Sequence, residues 1–177
     1  MTGADFLPLL AATAAAFLAL LFARAALHKL TDFTEFTGFV ADYKLLPERF
    51  VAPVSALIVA AECAVVVTPL IPGAMPLAGL LGGLLLAGYG VAMAVNIVRG
   101  RDRIECGCGG AAQPLSWALV ARNAVLVGVA LVAVFGGPVS LSLDGTLAAL
   151  ATGVLLLAGF LLVEQILAND ARFRMKP

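Results

Sequence analysis

Two cysteines separated by one glycine are the residues of this sequence best suited to chemistry. Cys106 and Cys108 lie in a polar loop, residues 99–114, between two long apolar stretches, and they are two of the three cysteines in the 177-residue chain. Thiols this close together can close a disulfide, bind a metal ion or exchange with a partner thiol. The loop is therefore the first place to expect a functional site.

The surroundings of this pair favour a redox-active disulfide rather than a permanent structural disulfide. A disulfide between residues i and i+2 closes a small, strained ring, and strain makes it easier to reduce. Gly107 supplies backbone freedom for the turn. The arginines at positions 99, 101 and 103 would stabilise a reactive thiolate, while Glu105 acts in the opposite direction. We therefore predict Cys106 and Cys108 as a redox-cycling pair.

A metal site is the alternative that uses the same cysteines. Cys106, Cys108 and His28, the single histidine of the chain, would supply three ligands, with Glu105 as a fourth. The one-residue spacer is shorter than the spacing usual in zinc sites, and a lone histidine at a helix end is more often a polar end group. The sequence thus predicts no metal site, with this ligand set as the weaker alternative.

The composition is that of a membrane protein. Hydrophobic residues make up 62% of the chain and charged residues 12%, with a mean hydropathy of +1.06, whereas soluble domains are about one quarter charged. Five stretches reach or approach the roughly 20 apolar residues that cross a bilayer. They cover about residues 6–27, 51–70, 75–98, 115–135 and 146–167. We predict one all-α transmembrane domain over residues 1–177, with four core helices and a fifth C-terminal helix.

A short amphipathic helix is predicted over about residues 32–46, after the first span. Asp32 and Glu35 have the spacing of a capping box. Phe36 and Tyr43 fall on one apolar face, and Pro47 ends the helix because the residue before a proline avoids helical geometry. A helix of this kind is expected to lie in the membrane interface.

The basic residues predict the orientation in the membrane. All eleven Lys and Arg residues fall on one side of the five-helix arrangement, and basic residues near helix ends stay in the cytoplasm. The N-terminus is therefore expected outside, and the cysteine loop and C-terminus inside, in the inner membrane of a bacterium. The first span is expected to be a retained helix, because no basic segment precedes it and its apolar run is long for a signal peptide.

Several polar residues inside the spans are further site candidates. Glu62 lies near the bilayer centre, where a carboxylate is costly and therefore marks a site by default. It is expected to accept protons from thiol chemistry or to pair with Arg24 or Arg122, unless these arginines only reach towards the headgroups. Asn123 would join helices or line a quinone pocket. Cys63 is by itself a packing residue, although it is the single thiol inside the spans.

Small residues in the third span predict close helix packing. Gly79 and Gly83 form a small-xxx-small pair, a spacing that lets helix backbones approach where lipid provides no hydrophobic drive. We assign these glycines to bundle packing rather than to a ligand site.

The segments RAALHKL (24–30) and YKLLP (43–47) resemble the DoxX-like membrane superfamily. The segments ECGCG (105–109) and SW followed by RN (116–123) resemble its MauE branch, which is named from methylamine utilisation. The resemblance covers about the first four spans and implies the four-helix fold of quinone-linked thiol oxidoreductases. It also implies a role in disulfide handling, associated in methylamine utilisation with maturation of a disulfide-rich periplasmic dehydrogenase alongside a thioredoxin-like protein.

Two functions follow from these patterns. The first is thiol–disulfide exchange by Cys106 and Cys108, coupled to a partner thiol and to a membrane quinone, with Glu62, Cys63, Arg24, Arg122, Asn123 and His28 as supporting candidates. The second is a role as a non-catalytic accessory subunit of a larger membrane complex. In that case the cysteine loop would bind a partner protein or a metal ion. A transporter ranks last, since no inverted repeat is visible. The expected partners are the bilayer and a redox protein or membrane complex, and no nucleic acid.

Overall fold

The computed structural model describes residues 3–104, 114–136 and 141–174, and the side chains of residues 6–169 within those ranges. The all-helical membrane architecture expected from the sequence is confirmed. The six helices are α1 (Gly3–Thr31), α2 (Phe33–Asp42), α3 (Glu48–Val67), α4 (Met75–Val98), α5 (Trp117–Phe135) and α6 (Leu143–Arg174).

Five of these helices are long and apolar enough to cross a membrane. The apolar spans are Phe6–Thr31, Glu48–Leu70, Met75–Val98, Trp117–Phe135 and Leu143–Asn169, each near or above the length that a bilayer requires. The chain is therefore a multi-pass membrane protein. The first span continues four residues beyond its predicted end at Leu27, and this extension carries His28 and Lys29 into α1.

Helix α1 is the centre of the bundle. It packs against every other helix, and α6 packs mainly on α1, while α4 and α5 form the most extensive pair. Dispersion and close packing hold these apolar faces together, because lipid provides no hydrophobic drive to association. The largest side chains of the shared core are Phe17, Leu18, Leu21, Phe22, Leu86 and Leu126.

The short helix α2 begins as predicted and ends earlier. The Asp32 carboxylate accepts a hydrogen bond of 2.8 Å from the Glu35 amide, which caps the first turn. Helix α2 ends at Asp42 rather than near residue 46, because Lys44 has a φ of 47°, in the left-handed region that a right-handed helix does not use. The buried face of α2 carries Phe36.

Helix α4 ends in a Schellman motif that turns the chain towards the cysteine loop. The Arg101 amide donates to the Asn96 carbonyl and the Gly100 amide donates to the Ile97 carbonyl, both at 2.9 Å. Gly100 has a φ of 70°, which glycine adopts without steric cost. This reversal points Arg101 back towards the end of α2.

Two glycines of α4 pack against α5, as expected. A Cβ atom at Gly79 would lie 2.8 Å from the Ala130 carbonyl oxygen, and one at Gly83 would lie 3.3 Å from the Ala130 Cβ. The two helix backbones approach closely here because neither glycine has a side chain.

Substituting Gly79 with alanine should destabilise the bundle. The added methyl group meets backbone rather than a flexible side chain, so α4 and α5 must separate, at a cost of about 1–3 kcal/mol. Thermal unfolding in detergent measures this. Gly128→Ala on α5 is the control, because a Cβ there meets nothing within 4 Å. Equal unfolding temperatures for both variants would contradict the close approach.

Candidate functional site

A buried ion pair joins α1 to α3. Lys29 Nζ donates a 2.8 Å hydrogen bond to Glu62 Oε1, and the two side chains are 1% and 0% exposed. The Tyr89 hydroxyl of α4 donates to the same oxygen at 2.7 Å. The Lys29 ammonium also lies 5.1 Å from the ring centre of Phe36 and 5.7 Å from that of Tyr89, where the aromatic faces stabilise its charge.

This pairing corrects two sequence-based expectations. Lys29 was expected in the first loop, but it lies in the last turn of α1, and Glu62 was expected to pair with Arg24 or Arg122. Positions 24 and 29 differ by about 140° around a helix. Arg24 and Lys29 therefore face different neighbours, and only Lys29 faces α3.

The two arginines pair with a different carboxylate. Arg122 Nη1 on α5 donates to Glu164 Oε1 at 2.7 Å, and Arg24 Nη1 on α1 donates to Glu164 Oε2 at 3.4 Å. Glu164 belongs to α6 and is 5% exposed. One carboxylate thus ties three helices together, and the C-terminal helix completes a charged cluster inside the bundle.

A small cavity lies between these two ion clusters. We call it the polar cavity because six of its lining residues carry polar side chains, beside six apolar ones. It has a volume of about 30 Å³, and its walls include Glu62, Tyr89, Arg122, Asn123 and Glu164. Within the described part of the chain, three buried atoms have no hydrogen-bond partner: Glu62 Oε2, Arg122 Nε and Asn123 Nδ2. All three belong to residues of this cavity wall.

A second, larger cavity lies on the other side of Tyr89. It has a volume of about 480 Å³ and is formed by α2, α3, α4 and the segment between α2 and α3. This size falls within the range of ligand sites, about 300–1,000 Å³. Its lining residues are Phe36, Phe39, Val40, Tyr43, Leu45, Leu46, Val54, Ile58, Ala61, Leu81, Leu84, Leu85, Gly88, Tyr89 and Ala92. We call this space the apolar cavity.

Arg101 fastens the start of the cysteine loop to the edge of the apolar cavity. Its Nη2 donates to the Asp42 carbonyl at 2.8 Å and its Nη1 to the Tyr43 carbonyl at 3.3 Å. These are carbonyls at the C-terminus of α2, where a cation is favourable for the helix dipole. Arg101 Nη1 also lies 3.5 Å from Asn96 Oδ1, so the contact joins α2 to α4.

The residues on both sides of the cysteines pack near Tyr43 and Tyr89, which line the apolar cavity. The Leu115 amide donates to the Asp102 carbonyl at 2.9 Å, which closes the base of the loop. Ile104, which precedes the cysteines, and Leu115, which follows the loop, belong to one apolar cluster with Tyr43 and Tyr89. Burial raises the pKa of Tyr43 to about 12, although the positive charge of Arg122 acts in the opposite direction. Tyr43 is therefore neutral at physiological pH.

The predicted site residues fall into three groups. Cys106 and Cys108 lie outside the described residues, so their predicted role stays a prediction. Glu62, Arg24, Arg122 and Asn123 meet around the polar cavity. Cys63 is a free, partly buried cysteine of α3, and His28 is exposed near the end of α1. The described residues contain no cluster of three or more His, Cys, Asp or Glu side chains that could hold a metal.

Three residues of the site were missed as such. Lys29 lay between the predicted first span and the predicted interfacial helix, Glu164 lay in the fifth span with no expected role, and Tyr89 carried no signal beyond its apolar surroundings. The signal for Glu164 was present, because an ionisable residue within a span is a site candidate by default. For Lys29, the sequence gives only the distance from the predicted helix end, which was four residues short.

The fold and the site define a class: a multi-pass helical membrane protein with ion pairs buried inside its bundle. Within that class, the chain belongs to the MauE family, whose model, described as methylamine utilisation protein MauE, matches residues 7–136. The matched region contains α2 to α5 and nearly all of α1, whereas α6 and Glu164 lie beyond it.

Named relatives agree with this assignment. The chain is 45% identical over 141 residues to the methylamine utilization protein MauE of Paracoccus versutus, covering 78% of this chain and 75% of the relative. It is 42% identical over 160 residues to MauE of Paracoccus denitrificans, covering 86% and 83%. A third relative, MauE of Methylophilus methylotrophus, is 36% identical over 156 residues, covering 84% and 81%. No solved structure matches the chain.

Proposed function

We propose that this protein is a membrane thiol–disulfide oxidoreductase, in which Cys106 and Cys108 exchange electrons with a partner thiol and with a quinone held in the apolar cavity. The observation that carries the proposal is the anchoring of both loop flanks beside that cavity, through Ile104 and Leu115 packed with Tyr43 and Tyr89. Cys106 follows Ile104 by two residues, and two residues of extended chain span about 7 Å at most. This short separation supports a role for the two thiols beside the cavity.

The apolar cavity fits a quinone in size and chemistry. Its lining is hydrocarbon and aromatic except for two phenols, those of Tyr43 and Tyr89. Ligand sites of this kind combine apolar walls with a few polar groups that orient the ligand. When bound, a quinone supplies a two-electron, two-proton acceptor. The phenols would orient the oxygens of its ring.

The thiol chemistry balances with these components. Oxidation of Cys106 and Cys108 forms one Sγ–Sγ bond and releases two electrons and two protons, which a quinone bound in the apolar cavity would accept. A thiolate of the partner then attacks one sulfur of this disulfide and expels the other as a thiolate. A second partner thiolate resolves the mixed disulfide and restores both loop thiols. Run in reverse, the same bonds carry electrons to the partner.

We extend the role of the family to this chain and infer a thioredoxin-like partner. The relatives are named for methylamine utilisation, and a protein that exchanges disulfides needs a partner with an accessible dithiol. In this proposal the chain serves the maturation of a disulfide-containing protein.

The redox state of the loop cysteines in native membranes tests this proposal. Free thiols are trapped with acid and tagged by mass, before and after a reductant, an oxidant and a quinone analogue are added. We expect a pair that interconverts and is oxidised by the quinone analogue. Cys106→Ser and Cys108→Ser each leave a single loop thiol that cannot form the disulfide within the loop. Neither variant should therefore interconvert between a reduced and an oxidised form. A pair that stays reduced in all conditions overturns the proposal in favour of an accessory subunit.

The orientation is a separate proposal with its own prediction. The described basic residues all lie towards the side of the bundle where α1 and α4 end and α3 and α5 begin. This distribution supports a cytoplasmic location for the loop. An impermeant maleimide should therefore label the loop cysteines only after the membrane is opened, with an introduced Ser142→Cys as an externally labelled control. Labelling of the loop in intact cells would reverse the orientation and place the partner thiol in the periplasm.

A further inference from the structure

Tyr89 forms the wall between the two cavities. Its side chain lines the apolar cavity and the small polar cavity, and its hydroxyl donates to Glu62 at 2.7 Å. Glu62 in turn lines the polar cavity. One hydrogen bond thus connects the apolar space proposed for the quinone to a charged interior.

The far side of Glu62 is built to hold water. Glu62 Oε2 can accept a hydrogen bond, Arg122 Nε and Asn123 Nδ2 can donate, and within the described residues none of these buried atoms has a partner. Glu62 is 0% and Asn123 2% exposed. Buried polar atoms are costly when unsatisfied. A polar cavity of about 30 Å³ has room for about one or two waters, since one water needs roughly 10–15 Å³.

The polar cavity continues to the helix surface through Glu164. This carboxylate lines the cavity and bonds to Arg122 and Arg24. The Arg24 side chain is 37% exposed, whereas those of Arg122 and Glu164 are 9% and 6% exposed. The charged cluster therefore begins at the surface beside Arg24 and ends, through Tyr89, at the apolar cavity.

We infer that this continuous chain of polar groups, from Arg24 and Glu164 through the water-holding cavity to Glu62 and Tyr89, conducts protons into the apolar cavity. The inference rests on the proposed function, because reduction of a quinone in the apolar cavity consumes two protons. The phenols of Tyr43 and Tyr89 are the only polar side chains that line this cavity. Protons cross buried regions along hydrogen-bonded carboxylates, phenols and waters.

Each proton transfer leaves the residues as they were. A proton passes from Glu164 through the bridging water to Glu62 Oε2. The protonated Glu62 carboxyl then rotates to turn its O–H towards the Tyr89 hydroxyl oxygen, and the Tyr89 hydroxyl, which donates to Glu62 Oε1 at rest, rotates to point at the ligand in the apolar cavity. Tyr89 passes its phenolic proton to an oxygen of that ligand and takes the carboxyl proton of Glu62 in its place. Glu62 and Tyr89 are restored, and Glu164 is reprotonated from the surface. The charges facing Glu62 are those of Lys29, at 2.8 Å, and of Arg122 across the cavity.

The steady-state oxidation of dithiothreitol by a short-chain ubiquinone, with the full-length protein in liposomes, tests this inference. Glu62→Gln should lower kcat roughly 100-fold, the scale of a lost proton-transfer group. The KM for the ubiquinone should not change, because Glu62 does not line the apolar cavity. Exchange of the oxidised cysteine pair with dithiothreitol alone should also keep its rate. Glu62→Asp, which retains a carboxylate, should recover part of kcat.

The outcomes separate this inference from the proposed function. Wild-type kcat in Glu62→Gln would overturn the proton path and leave the thiol–quinone reaction intact. If Glu62→Gln does not fold, Lys29→Met/Glu62→Gln removes both buried charges, and wild-type kcat in that double variant would overturn the path equally. If the wild-type protein oxidises no dithiothreitol with the ubiquinone, the proposed function fails, and the proton path fails with it.

Discussion

Replacing Lys29 with methionine, with Glu62 unchanged, should destabilise the protein by about 3–5 kcal/mol. The carboxylate would remain in a site where it is 0% exposed, without the ammonium that neutralises it. Tyr89 alone would then hydrogen-bond to Glu62 Oε1. We expect this variant to lose most of its folded population in detergent, as measured by thermal unfolding and by the yield of monodisperse protein.

The matched double variant distinguishes an unpaired charge from a lost contact. Lys29→Met/Glu62→Leu removes both charges and fills similar volume with hydrocarbon, a change that is often neutral or stabilising for a buried ion pair. Its stability should therefore return to near the wild-type value. If the double variant lost as much stability as the sum of the losses in Lys29→Met and Glu62→Leu, the two residues would act independently. The ion pair would then not be the reason for the loss.

Filling the apolar cavity should strongly lower the affinity for the quinone. Gly88 lines this cavity, and a Cβ atom there would meet nothing within 4 Å. Gly88→Phe would place a benzyl group in a space of about 480 Å³ and leave little room for a quinone ring. We expect the KM for a short-chain ubiquinone to rise roughly 100-fold, which corresponds to about 2.7 kcal/mol of lost binding.

A second glycine serves as the control for this substitution. Gly128 lies on the exposed face of α5, and a Cβ atom there also meets nothing within 4 Å, so Gly128→Phe adds the same side chain outside the cavity. Its KM should equal that of the wild type. Both variants should exchange disulfides with dithiothreitol at the wild-type rate, because neither changes the cysteine loop. An unchanged KM in Gly88→Phe would place the quinone elsewhere.

Local features of the sequence were enough to predict the class and most helix positions. Long apolar runs require helices in lipid, because each backbone amide must be satisfied within its own segment. Asp32 caps α2 through the residue three positions later, and Gly100 ends α4 because its φ of 70° suits glycine. These signals act over a few residues, so they are readable without knowledge of any neighbouring helix.

The candidate site depends on contacts between distant helices, and there the sequence was less informative. Glu62 and Arg122 were predicted as site residues, but their partners were not. The partner of Glu62 is 33 residues away and that of Arg122 is 42 residues away. The rotation of each helix about its axis determines which side chains face each other. Because the predicted end of the first span was four residues short, Lys29 was not recognised as a helical residue that faces α3.

By itself, the sequence determined that this is a helical membrane protein of the MauE family with a paired-cysteine loop, because apolar length, basic-residue placement and motif spacing are properties of the chain. Only the tertiary structure showed that Lys29 neutralises Glu62 and that Glu164 forms ion pairs with Arg24 and Arg122. It also showed that Tyr89 separates two cavities. Charges buried in a bundle are stable only beside an opposite charge, and the packing of α1 against α3 and α6 brings those charges together.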